Sequence, residues 1–248
     1  MTDPRQPTTP VGMLIIDKPK GPTSMHVCRI VKAKLRRGGA PKNTKVGHGG
    51  TLDPLATGVV VVLVGRAATR LCDQVMAGEK RYTAEVDLAH RSTTDDAEGE
   101  LTEISLLRAP SREEVERVCA QFVGTINQKP PAHSAIWIDG QRAYTLARAG
   151  EAPEMKARPV EVHSIEIIGY EFPRLALNIR CGKGTYIRSL ARDIGTALGA
   201  GGMLAGLRRT AVGEFTIDRA VALDDLPEPL GQEQLLPLPC FSFDPPPL

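Results

Sequence analysis

An unbroken run of apolar residues, Val59 to Val64, constrains the fold of this chain more than any other stretch. Its members are valine or leucine and none is polar, so the run lacks the alternation of a strand with one wet face. We therefore predict a strand that is buried on both faces. The chain length of 248 residues fits one large domain, or one domain that carries an insertion.

Other periodic stretches predict further strands and helices in mixed order. From Lys80 to Leu88 apolar and polar residues alternate, which places Tyr82 and Val86 on one face of a strand. The pattern Ser111-Arg112-Glu113-Glu114 is a capping box that opens a helix. Strands are also expected at 13–16, 162–168 and 175–181, and helices at 23–37, 111–122 and 187–198. Strand and helix do not alternate strictly, so we predict an α+β fold.

Composition divides the chain into parts. Residues 1–10 are polar and contain proline, and beyond Leu226 the chain becomes rich in proline. Residues 124–155 contain the only tryptophan, Trp137, and a short helix that ends at Gly150, so we interpret them as an insertion on the main body. We predict a flexible arm at 1–10, a main domain at 11–226 with the insertion at 124–155, and a Pro-rich tail at 227–248.

Charge and cysteine usage exclude several classes of protein. The net charge is only +2, yet residues 29–45 contain seven basic side chains and no acidic one. Such a run favours a polyanion partner, although a solvated helix face is the ordinary alternative. The five cysteines are widely spaced without a CxxC pair, which argues against a disulfide framework and a zinc site. No signal-like or membrane-length apolar run is present, so we expect a cytoplasmic protein.

The segment from Gly47 to Gly58 is the strongest candidate for chemistry. Its four glycines, at 47, 49, 50 and 58, allow a ligand to approach the backbone closely. Asp53 precedes Pro54, which disfavours helix, and stands just ahead of the predicted buried strand, so it can be held rigidly at the edge of a cleft. Taken alone, an Asx-turn aspartate that shapes the loop is the better interpretation.

Three further residues have both a functional and an ordinary interpretation. Arg188 lies in the first turn of a predicted helix, where it suits an anion, but an exposed surface arginine fits equally well. Tyr82 suits stacking on a nucleobase, although a core tyrosine is the default at an inward position. His48 suits a contact with a phosphate or a base, and a turn-stabilising role fits as well.

Taken together, ordered motifs from about residue 11 to residue 226 resemble the TruB family of tRNA pseudouridine synthases. The motifs are Asp17-Lys18-Pro19-Lys20-Gly21, the segment Gly47 to Gly58, Lys80-Arg81-Tyr82 followed by Thr93-Thr94-Asp95-Asp96-Ala97-Glu98-Gly99, the group Lys129-Pro130-Pro131, Ser134-Ala135 and Gly140-Gln141-Arg142-Ala143-Tyr144, then Gly184-Thr185-Tyr186-Ile187-Arg188, and Leu207-Arg208-Arg209. So many motifs in one order outweigh the ordinary interpretation of each motif alone.

The resemblance implies a role for each matching residue. Asp53 would be the essential carboxylate, Arg188 its ion-pair partner, and Tyr82 the ring that stacks on the flipped uracil. Tyr186 and Leu207 would line the pocket, and His48 would help to hold the flipped T-loop. We also assign three lysines to the RNA backbone: Lys18, Lys42 and Lys45.

The resemblance further implies a pseudouridine synthase fold, with a mixed, largely antiparallel sheet, flanking helices and a thumb insertion. The partner would be the T arm of tRNA, the product pseudouridine at position 55, and neither a cofactor nor a metal is needed because no atoms enter or leave. We expect a monomer that does not bind membranes. The family commonly carries a C-terminal RNA-binding domain of the PUA kind, and we expect no complete one here.

Two alternatives to this enzyme remain. An RNA chaperone could fold tRNA without catalysis, although it would not need the set of Asp53, Tyr82 and Arg188. A guide-RNA-dependent synthase of the dyskerin type shares the catalytic motif but normally uses the C-terminal domain. The sequence also leaves the chemical route open: the carboxylate can attack C1′, attack C6, or help to remove the C2′ proton on a glycal route.

Overall fold

A computed structural model describes residues 9–134, 136–138, 140–151 and 154–239 of the chain. Parts of three predicted segments lie outside the described residues: 1–8 of the arm, 135, 139, 152 and 153 of the insertion, and 240–248 of the tail, with Cys240. Within the described ranges, no helix has the length and apolar character needed to span a membrane.

The helices and strands follow one another in mixed order. The helices are α1 Ser24–Arg37, α2 Gly65–Thr69, α3 Cys72–Ala77, α4 Arg112–Gln121, α5 Ala143–Arg148 and α6 Ile187–Ala197. The strands are β1 Gly12–Lys18, β2 Val46–His48, β3 Thr57–Val64, β4 Lys80–Asp87, β5 His90–Ser92, β6 Leu101–Glu103, β7 Gly124–Gln128, β8 Trp137–Ile138, β9 Gln141–Arg142, β10 Arg158–Glu171, β11 Arg174–Cys181, β12 Met203–Val212, β13 Phe215–Thr216 and β14 Val221–Ala222.

The strand pairing is mixed and largely antiparallel, which confirms the predicted fold class. Strand β1 pairs with β14 in parallel, whereas β1 with β3, β4 with β11, and β10 with both β7 and β11 are antiparallel. The chain divides into two compact units. The first unit contains the described residues up to Gly78 and from Arg209 onward, and the second unit is Glu79–Arg208.

In the first unit, β3 is the most deeply buried strand. Every residue from Val59 to Val64 has an exposed fraction of 0%, so the predicted strand with two buried faces is confirmed. Strand β1 runs beside it with Met13 opposite Leu63. The predicted first helix is also confirmed, because the Thr23 side chain caps α1 by accepting a hydrogen bond from the His26 amide at 3.1 Å. Strand β3 therefore lies in the interior of this unit.

Residues 227–239 belong to the first unit and pair with β1. The amide of Met13 donates to the Leu236 carbonyl at 2.9 Å, and the Leu236 amide donates to the Met13 carbonyl at 2.8 Å. Leu230 and Leu235 are buried. At the other end of α1, Lys34 donates to the Leu226 carbonyl at 2.6 Å. This part of the predicted Pro-rich tail thus extends the core of the first unit.

The second unit is built on the antiparallel order β4-β11-β10-β7. The alternation predicted for β4 is confirmed, with Ala84 and Val86 buried in a core that also contains Leu177, Leu190 and Ile194. Helix α4 begins with the predicted capping box between Ser111 and Glu114. Helix α6 places its apolar face in the same core, and its first turn contains Arg188.

Candidate active site

The loop of residues 49–58, here called the Asp53 loop, is held by hydrogen bonds to the rest of the first unit on both sides of the aspartate. The Ser24 hydroxyl accepts a hydrogen bond from the Leu52 amide at 2.8 Å and donates to the Leu52 carbonyl at 3.0 Å. The Asp53 carbonyl accepts from the Ala56 amide at 3.1 Å, which closes a turn. Leu52 and Leu55 are buried, whereas Asp53 is half-buried. The carboxylate therefore stands on an anchored backbone rather than on a loose surface loop.

Arg209 is the main side-chain anchor of the Asp53 loop. It is only 1% exposed. Its guanidinium donates to the carbonyl of Gly50 at 3.1 Å, of Thr51 at 3.0 Å and of Val59 at 2.8 Å. A buried guanidinium with several carbonyl acceptors fixes their relative positions, because each bond constrains the same rigid plane.

Gly58 allows the loop to run close to Arg209. A Cβ atom at this position would lie 2.2 Å from the backbone oxygen of Arg209, and the φ angle of Gly58 is +103°. Both the contact and the left-handed backbone exclude other residues. The glycine recognised in the sequence as a place of close approach thus accommodates the neighbouring strand of the protein itself.

Lys18 requires a correction. We assigned it to the RNA backbone, but its exposed fraction is 0% and its ammonium donates to the carbonyl of Pro19 at 2.9 Å and of Pro54 at 3.4 Å. A contact with a phosphate needs an accessible ammonium. Lys18 instead holds the backbone directly after Asp53. Its position at the end of the buried strand β1 explains the burial.

His48, at the end of β2, is half-buried. Burial, and secondarily the Arg209 guanidinium, lower the pKa of its imidazole, which favours the neutral ring. Among the described residues, its Nδ1 atom is buried without a hydrogen-bond partner. Lys42 and Lys45 lie on the exposed loop ahead of β2, where a phosphate can reach them. The contacts of these three residues with RNA remain predictions.

In the second unit, Arg188 is held by a carboxylate and two carbonyls. It is 6% exposed, and its guanidinium lies 3.3 Å from Asp96 Oδ2. It also donates to the Thr94 carbonyl at 3.2 Å and to the His133 carbonyl at 3.0 Å. The ordinary interpretation of Arg188 as a surface residue is therefore wrong. Its ion pair with Asp53 remains a prediction.

Asp96 is a residue to which the sequence analysis gave no role. It is 2% exposed, and besides Arg188 its carboxylate accepts from the Thr94 hydroxyl at 2.5 Å and the Glu98 amide at 3.0 Å. The preceding residue, Asp95, has a φ angle of +62° and is paired with Arg192 at 2.7 Å. This pair fixes the turn that presents Asp96. The only sequence signal was the motif that contains both aspartates.

Gln128 is a second residue that the sequence analysis missed. Its side chain is 1% exposed, accepts a hydrogen bond from the Tyr186 amide at 2.8 Å and donates to the Tyr186 carbonyl at 3.1 Å. The guanidinium of Arg158 lies 5.4 Å from the centre of the Tyr186 ring and donates to the Gly184 carbonyl at 2.9 Å. Together these contacts orient the predicted pocket tyrosine at the start of α6.

Tyr82 and Leu207 pack against the same core, that of the second unit. Both are half-buried. Tyr82 is opposite Ile179 of β11. The predicted set is divided between the two units. Asp53, His48 and Lys18 lie in the first unit, and Tyr82, Tyr186, Arg188 and Leu207 lie in the second.

Comparisons with known proteins assign the family. Residues 37–187 match the model of the N-terminal domain of the TruB family of pseudouridylate synthases, and residues 188–236 match a C-terminal domain of tRNA pseudouridylate synthase B. The tRNA pseudouridine synthase B of Thermobifida fusca is 46% identical over 223 residues, which are 87% of this chain and 74% of that protein. The protein of the same name from Parabacteroides distasonis is 42% identical over 89% of this chain and 93% of its own length.

Solved structures agree with this assignment. The crystal structure of a Cbf5-Nop10-Gar1 complex matches with a TM-score of 0.65 and 30% identity, covering 91% of this chain. The chain spans 59% of the length of that matched chain. An H/ACA RNP bound to a substrate RNA containing 2′-deoxyuridine matches with a TM-score of 0.63 and 27% identity. Because this family model matches more than half of the chain, the chain belongs to the TruB family of pseudouridylate synthases.

Proposed function

We propose that this chain isomerises uridine to pseudouridine at position 55 in the T arm of tRNA, with Asp53 as the essential carboxylate. The observation that carries the proposal is the anchored Asp53 loop. Arg209 holds the backbone before the aspartate and Lys18 holds it afterwards. Catalysis by a carboxylate depends on such a rigid setting, because small displacements of the reacting group cost large factors in rate.

The reaction exchanges one bond to C1′ for another. The N1–C1′ bond breaks with its electron pair on uracil N1, the base turns, and a C5–C1′ bond forms. The proton on C5 goes to solvent and N1 takes up a proton, so the balance requires no oxidant or further reactant. An ionised Asp53 can attack C1′, attack C6, or accept the C2′ proton on the glycal route.

Access to C1′ and C5 requires that the uridine leave the folded T-loop. Tyr82 replaces the lost stacking, a contact of about 1–3 kcal/mol per base. Tyr186 and Leu207 line the uracil pocket, and the clamp of Gln128 on the Tyr186 backbone supports this assignment. His48 contacts the rearranged T-loop, while Lys42 and Lys45 contact phosphates and position the RNA without reading its sequence.

The comparisons favour tRNA over a guide-RNA-dependent substrate. The relatives named tRNA pseudouridine synthase B are 42–46% identical to this chain. The matched chains of the Cbf5 and H/ACA structures are only 27–30% identical to it. A tRNA substrate should therefore suffice without any guide RNA.

Tritium release from tRNA labelled at uracil C5 tests the proposal. Wild-type protein should release tritium without guide RNA, and a transcript with cytidine at position 55 should release none. Asp53→Asn should lower the rate by about 10³-fold or more, as when an essential reacting group is removed, while tRNA still binds. Asp73→Asn, at an exposed position in α3, is the matched control and should retain the wild-type rate.

Three outcomes would overturn the proposal. Release by Asp53→Asn at the wild-type rate would show that another group does the chemistry. Release that appears only after a guide RNA is added would identify the guide-dependent class instead. Binding of tRNA without any release by the wild-type protein would indicate a chaperone.

A further inference from the structure

A short hairpin of the second unit presents an aromatic and a basic side chain together. Its strands are β8 and β9, and Trp137 pairs directly with Arg142 across them. The Arg142 guanidinium carbon lies 4.3 Å from the centre of the Trp137 ring. Trp137 is nevertheless 61% exposed, and Tyr144, two residues after Arg142, is 41% exposed. One side of the indole is thus covered by a cation while much of the residue faces solvent.

The hairpin is held in place by its base. The Ala143 amide donates to the Ile136 carbonyl at 2.8 Å, and the Tyr144 amide donates to the Ser134 carbonyl at 3.0 Å. Ala143 has an exposed fraction of 0%. The exposed indole therefore belongs to a hairpin whose following residue, Ala143, is hydrogen-bonded and buried.

An exposed tryptophan under an arginine is suited to a specific class of ligand. A singly exposed apolar residue is ordinary, but an indole with a guanidinium stacked on its ring offers a flat, positively charged surface to a partner. Unpaired nucleobases stack on aromatic rings and on guanidinium planes, and a positive charge beside the ring attracts the phosphate backbone. A nucleobase therefore satisfies both the ring and the charge of this pair.

We propose that Trp137 and Arg142 form a stacking platform for an unpaired nucleobase of the tRNA, separate from the pocket assigned to the isomerised uridine. The proposal rests on the proposed function, because it takes tRNA as the partner. The platform would add affinity for the RNA without contacting the reacting atoms.

The chain offers a direct assay, because Trp137 is the only tryptophan. Intrinsic fluorescence of the unmodified protein therefore reports on this residue alone. Titration with unlabelled tRNA should quench the emission, with a midpoint equal to the Kd from filter binding. An unchanged emission at tRNA concentrations that saturate filter binding would overturn the proposal. An emission change with anionic lipid vesicles but none with tRNA would also overturn it, and would indicate a membrane surface instead.

Variants separate stacking from general apolar contact. Trp137→Ala should raise the Kd for tRNA by roughly tenfold, within the range measured for the loss of one stacked base. Trp137→Phe should recover most of the affinity, whereas Trp137→Leu should not. Leu107→Ala, which removes another exposed apolar side chain of the same unit, is the control and should bind as the wild type does. Equal affinity of Trp137→Ala and wild type would contradict the platform.

The platform and the proposed function fail in different ways. Quenching is measured without turnover, so Asp53→Asn should quench as the wild type does while it loses tritium release. Release without quenching would leave the isomerase proposal intact and remove the platform. Quenching without release from the wild type would do the reverse.

Discussion

Two buried arginines, one in each unit, bind their surroundings in different ways. Arg209 is 1% exposed and donates to three backbone carbonyls in and beside the Asp53 loop. Arg188 is 6% exposed, and its partners include the carboxylate of Asp96 as well as two carbonyls. The first arginine is matched with neutral acceptors and the second with a charged one.

This difference indicates different tasks. Carbonyl acceptors restrain the backbone but do not neutralise the guanidinium, so Arg209 both fixes the loop and leaves a positive charge inside the unit. A carboxylate acceptor compensates the charge of Arg188 and fixes the direction of its side chain. We therefore infer that Arg209 sets the conformation of the backbone around Asp53. Asp96 instead orients the guanidinium of Arg188 for the catalytic role that we predict for that arginine.

Removal of the Arg209 guanidinium should have the largest effect. Arg209→Met keeps a long apolar stem but leaves three carbonyls without their donor, and the free energy of unfolding should fall by about 3 kcal/mol or more. Urea unfolding measures this loss, and the rate of tritium release should fall with it because the loop is no longer fixed. Arg219→Met, at an exposed position of the same unit, should change stability by less than about 0.5 kcal/mol. Wild-type stability and rate in Arg209→Met would mean that Ser24 and Lys18 suffice to hold the loop.

Neutralisation of Asp96 should have a smaller and different effect. Asp96→Asn keeps the shape of the side chain but removes the charge that faces Arg188, so we expect a loss of about 1.5–3 kcal/mol in unfolding free energy. Tritium release should fall by about tenfold or more, the equivalent of one hydrogen bond to a charged group, with tRNA affinity unchanged. Glu100→Gln, at an exposed position in the same turn region, serves as the control. If Asp96→Asn weakened tRNA binding and left the rate at saturation unchanged, Arg188 would serve RNA binding rather than catalysis.

The contrast between the two arginines also explains what the sequence could predict. Strand β3, the capping box of α4 and the apolar face of α6 are local patterns, and each was found. Arg188 was found because it begins a helix after a glycine turn. Arg209 could be placed in a motif but not given a task, because its partner Val59 is 150 residues away along the chain.

Two further misses, Gln128 and Lys18, also depend on contacts between residues far apart along the chain. Gln128 binds the backbone of a residue 58 positions away, and no local periodicity reports such a contact. Lysine is seldom buried, and Lys18 departs from that rule because it stands at the end of an interior strand.

The charge of Arg209, whose three hydrogen-bond acceptors are neutral carbonyls, leads to the smallest effect, which depends on pH. Burial and, after it, this charge lower the pKa of His48 from its usual 6.5. The unfolded chain therefore binds a proton at a higher pH than the folded chain does. The stabilising contribution is complete above about pH 6.5 and is lost as the pH falls toward the lower pKa of the folded state.

Urea unfolding at a series of pH values between about 5 and 7 measures this contribution. His48→Gln should remove the corresponding slope, whereas His163→Gln, at an exposed position of β10, should retain it. Arg209→Lys keeps the charge and should preserve the low pKa of His48, as followed by NMR titration of the imidazole. Arg209→Met should raise that pKa, though not to its usual value, because burial is the larger cause. An unaltered pKa in folded Arg209→Met would show that burial alone accounts for the shift, and that the charge of Arg209 is compensated after all, as the charge of Arg188 is.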